Sequence, residues 1–205
     1  MPYERDVQAF GDRAPGYEAG YRGRMHRDLA ARAAEVALEV DPQPRRVLDV
    51  GCGTGLLLRL LAERLPGSEQ LVGIDAAPGM ISVADATEHD SRISFVTGVA
   101  EELPYPDGSF DLVVSTTSFD HWQDQQAGLT QCLRVLSPGG RFVLSDLFSL
   151  WLAPTLLRGH RGRVRTKRRA KALLESAGFT RIEWHTRYAL IINTAVATKE
   201  PARRT

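Results

Sequence analysis

Glycine residues at alternate positions form the pattern in this sequence that is best suited to bind a ligand. Residues 47–55 read VLDVGCGTG, after an apolar run and before a leucine-rich one. Glycine lets the backbone turn sharply and lets a ligand approach closely, and the first N–H groups of the helix that follows are free to bind it. The dinucleotide pattern G-x-G-x-x-G is broken at Leu56, and the Gly-Lys-Ser/Thr of a phosphate-binding loop is absent. We therefore interpret the stretch as a binding loop of another kind, formed by Asp49, Gly51, Cys52, Gly53 and Gly55.

A second acidic residue, Asp75, lies 20 residues beyond Gly55, at the end of the next predicted strand. A carboxylate in this place can accept hydrogen bonds from the hydroxyls of a ribose. It can also cap the helix that is predicted to begin at Pro78. On its own the residue fits both roles equally, whereas its place next to the glycine loop favours ribose binding.

Short apolar runs alternate with helical stretches along the chain, which is typical of a sheet with helices on both faces. We predict an α/β fold with a doubly wound, seven-stranded, mostly parallel sheet and an antiparallel edge strand. Residues 137–140, SPGG, predict a turn, and residues 1–40 are predicted to be helical. No linker divides the chain, so residues 1–205 are predicted to form one domain around a core at residues 46–147. The predicted strands read RRVLDV, QLVGID, ISFVTG, SFDLVVS, RFVLSDL, RIEWHTRY and ALIINTAVATK.

Composition excludes several classes of protein. With 205 residues, 43% of them hydrophobic, and a net charge of +1, the chain is in the ordinary globular range. Its two cysteines, Cys52 and Cys132, belong to no Cys/His cluster, so neither a disulfide framework nor a metal site is expected. Cys52 is predicted to be a small packing residue in the loop, because no base that could activate its thiol is indicated nearby. No run of 18 apolar residues occurs and the first residues lack the core of a signal peptide, so a soluble, cytoplasmic protein without a membrane span is expected.

Residues 46–147 resemble the core of a class I S-adenosylmethionine-dependent methyltransferase of the small-molecule type, similar to the ubiquinone and menaquinone methylases. The matching stretches are VLDVGCGTG, VGIDAAPGM, VAEELPYPDGSFDLVVS and LRVLSPGGRFVLSD, in the family's order and spacing. The resemblance implies a Rossmann-like methyltransferase fold, S-adenosylmethionine as cofactor, and an enzyme that methylates a small-molecule acceptor. Further residues that it places around the cofactor are Ala76 and Met80 beside the adenine, Ala100 and Glu101 at the adenine edge, and Ser115 under the methionine.

One position departs from the family pattern. The family often has Gly-Asp-Ala-Glu after the third strand, whereas this chain reads Gly98-Val99-Ala100-Glu101. Loss of one such hydrogen bond costs about 1 kcal/mol, so cofactor binding should survive. Which group accepts a hydrogen bond from the adenine amino group stays open, and Glu101 and backbone carbonyls are the candidates.

Methyl transfer requires an acceptor held in line with the donor and, for some acceptors, a base. The acceptor should lie beyond the carboxyl ends of the strands, where the segment Asp120-His121-Trp122 follows the fourth strand. His121 is the candidate general base, with lining of the cleft as the alternative. Asp120 is as well suited to be a helix cap as a base, and Trp122 is a candidate for the acceptor pocket.

Aromatic residues in the N-terminal region are the other candidates for the acceptor pocket. In related methyltransferases this region, here residues 1–40, folds over the cofactor as a lid. Lining of the pocket and simple attachment of the region to the domain surface are the two roles that we consider. The candidates are Phe10, Tyr17, Tyr21 and His26.

Residues 158–171 contain eight Arg/Lys and no acidic residue. Such a patch can bind phosphate or nucleic acid, so a nucleic-acid methyltransferase is the first alternative, although a solvated surface is the simpler interpretation. A cofactor-binding regulatory protein without catalysis is the second alternative, and an NAD dehydrogenase comes last because of the glycine spacing. The acceptor, the methylated atom and the choice between monomer and homodimer stay open.

Overall fold

The computed structural model describes residues 2–148, 166–188 and 192–202, which form a seven-stranded sheet flanked by helices. The strand order is β3-β2-β1-β4-β5-β7-β6, so the chain winds outward in both directions from the first strand. This confirms the predicted fold class. The strands are β1 (Arg46–Val50), β2 (Gln70–Asp75), β3 (Ile93–Thr97), β4 (Phe110–Thr116), β5 (Leu136–Leu147), β6 (Thr180–Tyr188) and β7 (Ile192–Thr198).

Two hydrophobic clusters, one on each face of the sheet, form the core. Alternate residues of a strand point to opposite faces, and accordingly Val47 joins one cluster while Leu48 joins the other. Both residues are fully buried, which explains the nearly continuous apolar runs of the central strands. The helices are α1 (Pro2–Arg13), α2 (Gly20–Val40), α3 (Leu56–Arg64), α4 (Pro78–Thr87), α5 (Gln125–Val135) and α6 (Lys167–Ala177), with short 3₁₀ turns at Ala14–Gly16 and Phe119–His121.

The antiparallel pair lies at one edge of the sheet. β7 runs antiparallel to both of its neighbours, β5 and β6, and lies between them, so the outermost strand β6 is parallel to β1–β5. Closely spaced strands pair in this antiparallel way, as the sequence indicated.

The segment SPGG, predicted as a turn, belongs to the start of β5. Gly139 has a φ of +84°, and the register with β4 shifts in this stretch. The Gly139 N–H donates to the Lys199 carbonyl (3.0 Å), and the Lys199 N–H donates to the Gly140 carbonyl (3.0 Å). The backbone groups that a turn would leave to solvent are therefore paired with the end of the chain's last described strand.

Helix α1 lies at the carboxyl-end side of the sheet, whereas α2 packs beside α3 on one face of the sheet. α1 contacts α4 where Gly11 meets Gly79, and a Cβ built on Gly79 would lie 2.8 Å from the Gly11 Cα. This close approach brings α1 onto the loops that follow the strands. Of the basic patch at 158–171, residues 158–165 lie outside the described residues and the remainder begins α6.

Among the helices of the three described ranges, none combines the length and the apolar character needed to span a bilayer.

Candidate functional site

The glycine loop between β1 and α3 forms the floor of a cleft at the carboxyl ends of the central strands. Gly51, Gly53 and Gly55 all have left-handed φ angles, of +75°, +54° and +83°. The N–H groups of Gly51 and Cys52 both donate to the Ile74 carbonyl at the end of β2, at 2.8 and 3.1 Å. Only glycine adopts such angles without strain, which is why the sequence needs it at alternate positions here.

Two of these glycines are also required by close packing. A Cβ on Gly51 would lie 2.3 Å from the Ser118 side chain, and one on Gly55 would lie 2.4 Å from the Phe95 ring. A Cβ on Gly53 would meet nothing closer than a Tyr17 ring carbon at 4.0 Å. The space beside Gly53 is therefore part of the cleft. Gly55 does not line the cleft and is the N-cap residue of α3.

Asp75 holds the loop in its shape. Its Oδ2 accepts a hydrogen bond from the Gly53 N–H and its Oδ1 accepts one from the Ala77 N–H, both at 2.9 Å. The residue that caps α4 is Ala77, so Asp75 is not the helix cap that was considered as an alternative. Burial raises the pKa of this carboxyl. Each oxygen keeps a further lone pair for a donor in the cleft.

Asp49 is a buried carboxylate with an unmade hydrogen bond. The residue is 2% exposed, and no protein group donates to its Oδ1. Burial, followed by the charge of Asp75, raises its pKa to about 8. A buried acceptor without a donor is costly, so this position suits a ligand that brings a donor or a positive charge. Asp49 lines a small side cleft together with Cys52 and Gly53.

The main cleft has an empty volume of about 730 Å³, part of which is open to solvent. A volume of this size is in the range for small-molecule sites. Its lining includes Ala76, Met80, Ala100 and Glu101, which the resemblance assigns to the adenine, and also Val99. The Glu101 Oε1 accepts a hydrogen bond from the Asp124 N–H (2.9 Å), so this carboxylate is partly engaged at the start of α5.

Ser115 does not line the cleft. Its side chain is fully buried, and its Oγ is 2.8 Å from the Ser118 Oγ, which in turn donates to the Val50 carbonyl. The cleft is lined instead by Thr116 and Thr117, one and two residues later. The reason is that the cleft lies beyond the carboxyl end of β4, which ends at Thr116, whereas Ser115 still lies inside the sheet.

His121 lies where the main cleft meets a larger cleft under the N-terminal helices. Its Nε2 is 3.2 Å from the Asp120 Oδ1 and its Nδ1 is 3.9 Å from the Asp6 Oδ2. The edge of the Phe10 ring meets the imidazole at a centroid distance of 4.9 Å. The imidazole thus has a carboxylate on each side, from two different elements.

The structure brings the other predicted acceptor residues to these same clefts. Tyr17 lines all three and stacks on His26 at 4.6 Å. Burial and the nearby charge of Asp75 raise the pKa of the Tyr17 hydroxyl to about 12. Tyr21 lines the larger cleft and is 75% exposed. Trp122 lines the main cleft, and its indole N–H donates to the Ser118 Oγ (3.3 Å).

Several lining residues were not identified from the sequence. α1 contributes a row at helical spacing, which is a signal that the sequence carries: Tyr3, Val7 and Phe10 recur every three or four residues and fall on one face. Asp6 lies beside them on the same face. The loop after β4 contributes Thr117, with a φ of +52°, and Ser118, whose roles depend on the strand's end rather than on a motif.

Within the described part of the chain, no group of three or more His, Cys, Asp or Glu side chains is arranged to hold a metal ion.

Comparison with known proteins agrees with this geometry. The family described as "Methyltransferase domain" matches residues 48–144. A demethylmenaquinone methyltransferase of Thermus thermophilus is 40% identical over 121 residues, which are 58% of this chain and 54% of that protein. By this match, residues 48–144 form a methyltransferase domain, similar to those of the class I S-adenosylmethionine-dependent methyltransferases. The menaquinone-methylase resemblance that the sequence indicated is thereby confirmed.

Two further comparisons cover more of this chain. An ajmaline N-methyltransferase of Rauvolfia serpentina is 34% identical over 160 residues, covering 74% of this chain and 54% of that protein. The solved structure of the PH0226 protein from Pyrococcus horikoshii OT3 shares the fold, with a TM-score of 0.76 at 22% identity over 91% of this chain and 96% of that one. The chain spans about half the length of the curated relatives it matches. S-adenosylmethionine is the cofactor of the family.

Proposed function

We propose that this chain transfers a methyl group from S-adenosylmethionine to a small-molecule acceptor held between the main cleft and the N-terminal helices. The observation that carries the proposal is the buried, unpartnered Asp49 carboxylate beside a left-handed glycine loop. This arrangement fits a ligand that combines a cationic group with a nucleoside. The family match over residues 48–144 supports the same conclusion.

The residues present fit the cofactor. Asp75 has lone pairs left for the ribose hydroxyls, and Asp49 with the loop at Gly51–Gly53 is suited to the amino-acid part. Ala76 and Met80 offer apolar surface to the adenine. Because Val99 provides no acceptor, the adenine amino group is left to Glu101 or to a backbone carbonyl. When bound, S-adenosylmethionine supplies a methyl group on a sulfonium, which leaves as a neutral thioether.

The residues of the chain hold the acceptor and remove its proton. Phe10, Tyr17 and Tyr21 provide aromatic walls, which suit an acceptor with apolar or aromatic rings. His121 takes the proton of an acceptor hydroxyl or amine, and the neighbouring Asp120 carboxylate orients the imidazole. Helix α1 covers part of the cleft with Tyr3, Val7 and Phe10.

Binding tests decide the cofactor. The purified protein, stripped of ligand, is titrated in a calorimeter with S-adenosylmethionine, S-adenosylhomocysteine and NAD in parallel. We expect the two sulfur nucleosides to bind and NAD not to bind. Failure of both nucleosides to bind the folded protein would contradict the proposal and favour a non-catalytic protein.

Acceptor screening follows. Demethylmenaquinone and ajmaline, the compounds in the names of two relatives, are suitable first probes, each at several pH values. Turnover of S-adenosylmethionine with any small-molecule acceptor supports the proposal. Turnover with RNA or DNA and with no small molecule would support the nucleic-acid alternative. A cytoplasmic location, one domain, and a monomer or homodimer stay predictions from the sequence.

A further inference from the structure

A connection between the N-terminal segment and the glycine loop lies outside the residues assigned so far. The Glu18 side chain extends from the segment between the 3₁₀ turn and α2 to α3. Its Oε1 accepts two hydrogen bonds, one from the Thr54 hydroxyl (2.6 Å) and one from the Arg59 Nη2 (2.7 Å). Thr54 belongs to the glycine loop and is 2% exposed.

The Arg59 guanidinium completes this contact from the other side. Its Nη1 donates to the Thr54 carbonyl (2.7 Å), so the side chain and the backbone of Thr54 are both held by the ion pair. The same Nη1 would lie 3.3 Å from a Cβ on Gly55, which shows how closely the guanidinium packs on the loop. The two charged side chains are only 23% and 32% exposed, so water screens the pair less than it screens a surface pair.

The backbone of Glu18 is fixed as well. Its carbonyl accepts a hydrogen bond from the Arg27 Nη1 (2.6 Å). A Cβ on Gly23 would lie 2.0 Å from the same carbonyl oxygen, so the first turn of α2 packs directly on this residue. Glu18 is next to Tyr17, which lines all three clefts. A residue held at both ends in this way sets the position of its neighbour.

We propose that Glu18 and Arg59 are positioning residues that hold the N-terminal segment against the glycine loop and thereby keep Tyr17 over the bound cofactor. The inference rests on the proposed function only in assuming that S-adenosylmethionine lies in the main cleft. Cofactor release requires Tyr17 to move away from Gly53. Breaking the ion pair therefore speeds release, while the hydrogen bonds to Ile74 and Asp75 keep residues 51–53 of the loop in place.

The kinetic test uses S-adenosylhomocysteine as the probe. Glu18→Gln and Arg59→Met are each expected to raise its dissociation rate about tenfold, as for loss of a charge-assisted hydrogen bond, with little change in the association rate. The double variant should dissociate no faster than the faster single variant, because both changes break one connection. Glu35→Gln on α2 and Glu63→Gln on α3 remove the same charge from exposed positions and should leave the rate unchanged.

Two results would overturn the inference: unchanged dissociation in both single variants, or effects that multiply in the double variant. Hydrogen exchange of the ligand-free protein provides a test that needs no cofactor. In Glu18→Gln the amides of Tyr17 and Ala19 should exchange faster than in the wild type, with β1 unchanged. If the wild type binds no S-adenosylhomocysteine, the proposed function fails, and equal exchange in wild type and variant would then reject the connection as well.

Discussion

On one side of the main cleft, which we call the loop side, the contacts come from backbone groups and short side chains of β1, β2 and the turns after them. On the other side, the helix side, they come from large side chains of α1 and the turn at Phe119–His121, and α2 continues this side into the larger cleft. The loop side is built from residues 49–53 and Asp75, bound to each other through backbone N–H groups. The helix side is assembled from residues more than 100 positions apart in the chain, such as Phe10 and His121.

This difference separates two tasks. On the loop side Gly51 leaves no room for a side chain and the space beside Gly53 belongs to the cleft, which suits recognition of one invariable cofactor. The helix side consists of side chains that can be exchanged without changing the sheet, which suits adaptation to different acceptors. Substitutions on the loop side should therefore weaken cofactor binding, whereas substitutions on the helix side should weaken acceptor binding or methyl transfer.

The largest effect is expected from Gly53→Val on the loop side. The new side chain has space in the ligand-free protein, at a backbone cost of about 1–2 kcal/mol for the left-handed φ, but it fills the place of the cofactor. S-adenosylhomocysteine binding in the calorimeter should be lost while circular dichroism shows a folded protein. Gly67→Ala, where a Cβ meets nothing within 4 Å, is the control. Unchanged affinity in Gly53→Val would refute the role of the loop.

The next largest effect is expected from His121→Asn on the helix side. If His121 is the base, methyl transfer to an acceptor that must lose a proton should fall by roughly 10²–10⁴. S-adenosylhomocysteine affinity should stay within about threefold, because the imidazole lies at the junction and not on the loop. A fall of less than about fivefold in kcat would instead assign His121 to lining of the cleft.

A smaller effect on stability is expected from Asp49. Its pKa rises from 3.8 in the unfolded chain to about 8 in the folded one, so between these values the folded chain binds more protons. Its contribution to stability is therefore fully present below the unfolded pKa and is lost as pH rises through about 8. Between pH 5 and 8 the ligand-free wild type should lose at least about 1 kcal/mol more than Asp49→Asn, measured by chemical unfolding. Parallel pH profiles for the two proteins would contradict the burial argument.

The smallest effect is expected from Tyr21→Ala. This side chain is 75% exposed, so the free energy of unfolding should change by less than about 0.5 kcal/mol. Acceptor KM should rise about three- to tenfold, since the ring lines the larger cleft and offers apolar surface. Val96→Ala, at an exposed position on β3, is the matched control. An unchanged KM would mean that Tyr21 only attaches the segment to the surface.

The loop side could be predicted from the sequence because its signals are local. Gly51, Gly53 and Gly55 stand at positions where backbone angles alone demand glycine, and the place of Asp75 follows from the end of β2. Ser115 does not line the cleft, because the cleft is lined by the last residue of β4 and the loop after it, and a sequence pattern does not fix the end of a strand to one residue. The SPGG segment was also interpreted differently, because its pairing with Lys199 depends on a contact about 60 residues away.

The helix side could be predicted only as a set of candidates. Tyr17, Asp120 and His121 were identified by type, but Asp6 comes beside His121 only through the packing of α1 on α4. The contact between Glu18 and Thr54 has no sequence signature, since a glutamate before a helix is common. Such contacts depend on tertiary structure and on no local period.

The crossing of Gly11 and Gly79 offers a means of engineering the acceptor range. A methyl group added at Gly79 would lie 2.8 Å from the Gly11 backbone, whereas one added at Gly11 would lie 3.9 Å from its nearest atom, the Gly79 nitrogen. Gly79→Ala is therefore expected to move α1 away from α4 and to widen the cleft without changing any residue that lines it. Gly11→Ala should leave α1 in place. A library of variants built on Gly79→Ala would test bulkier acceptors, while the residues that line the cleft stay unchanged.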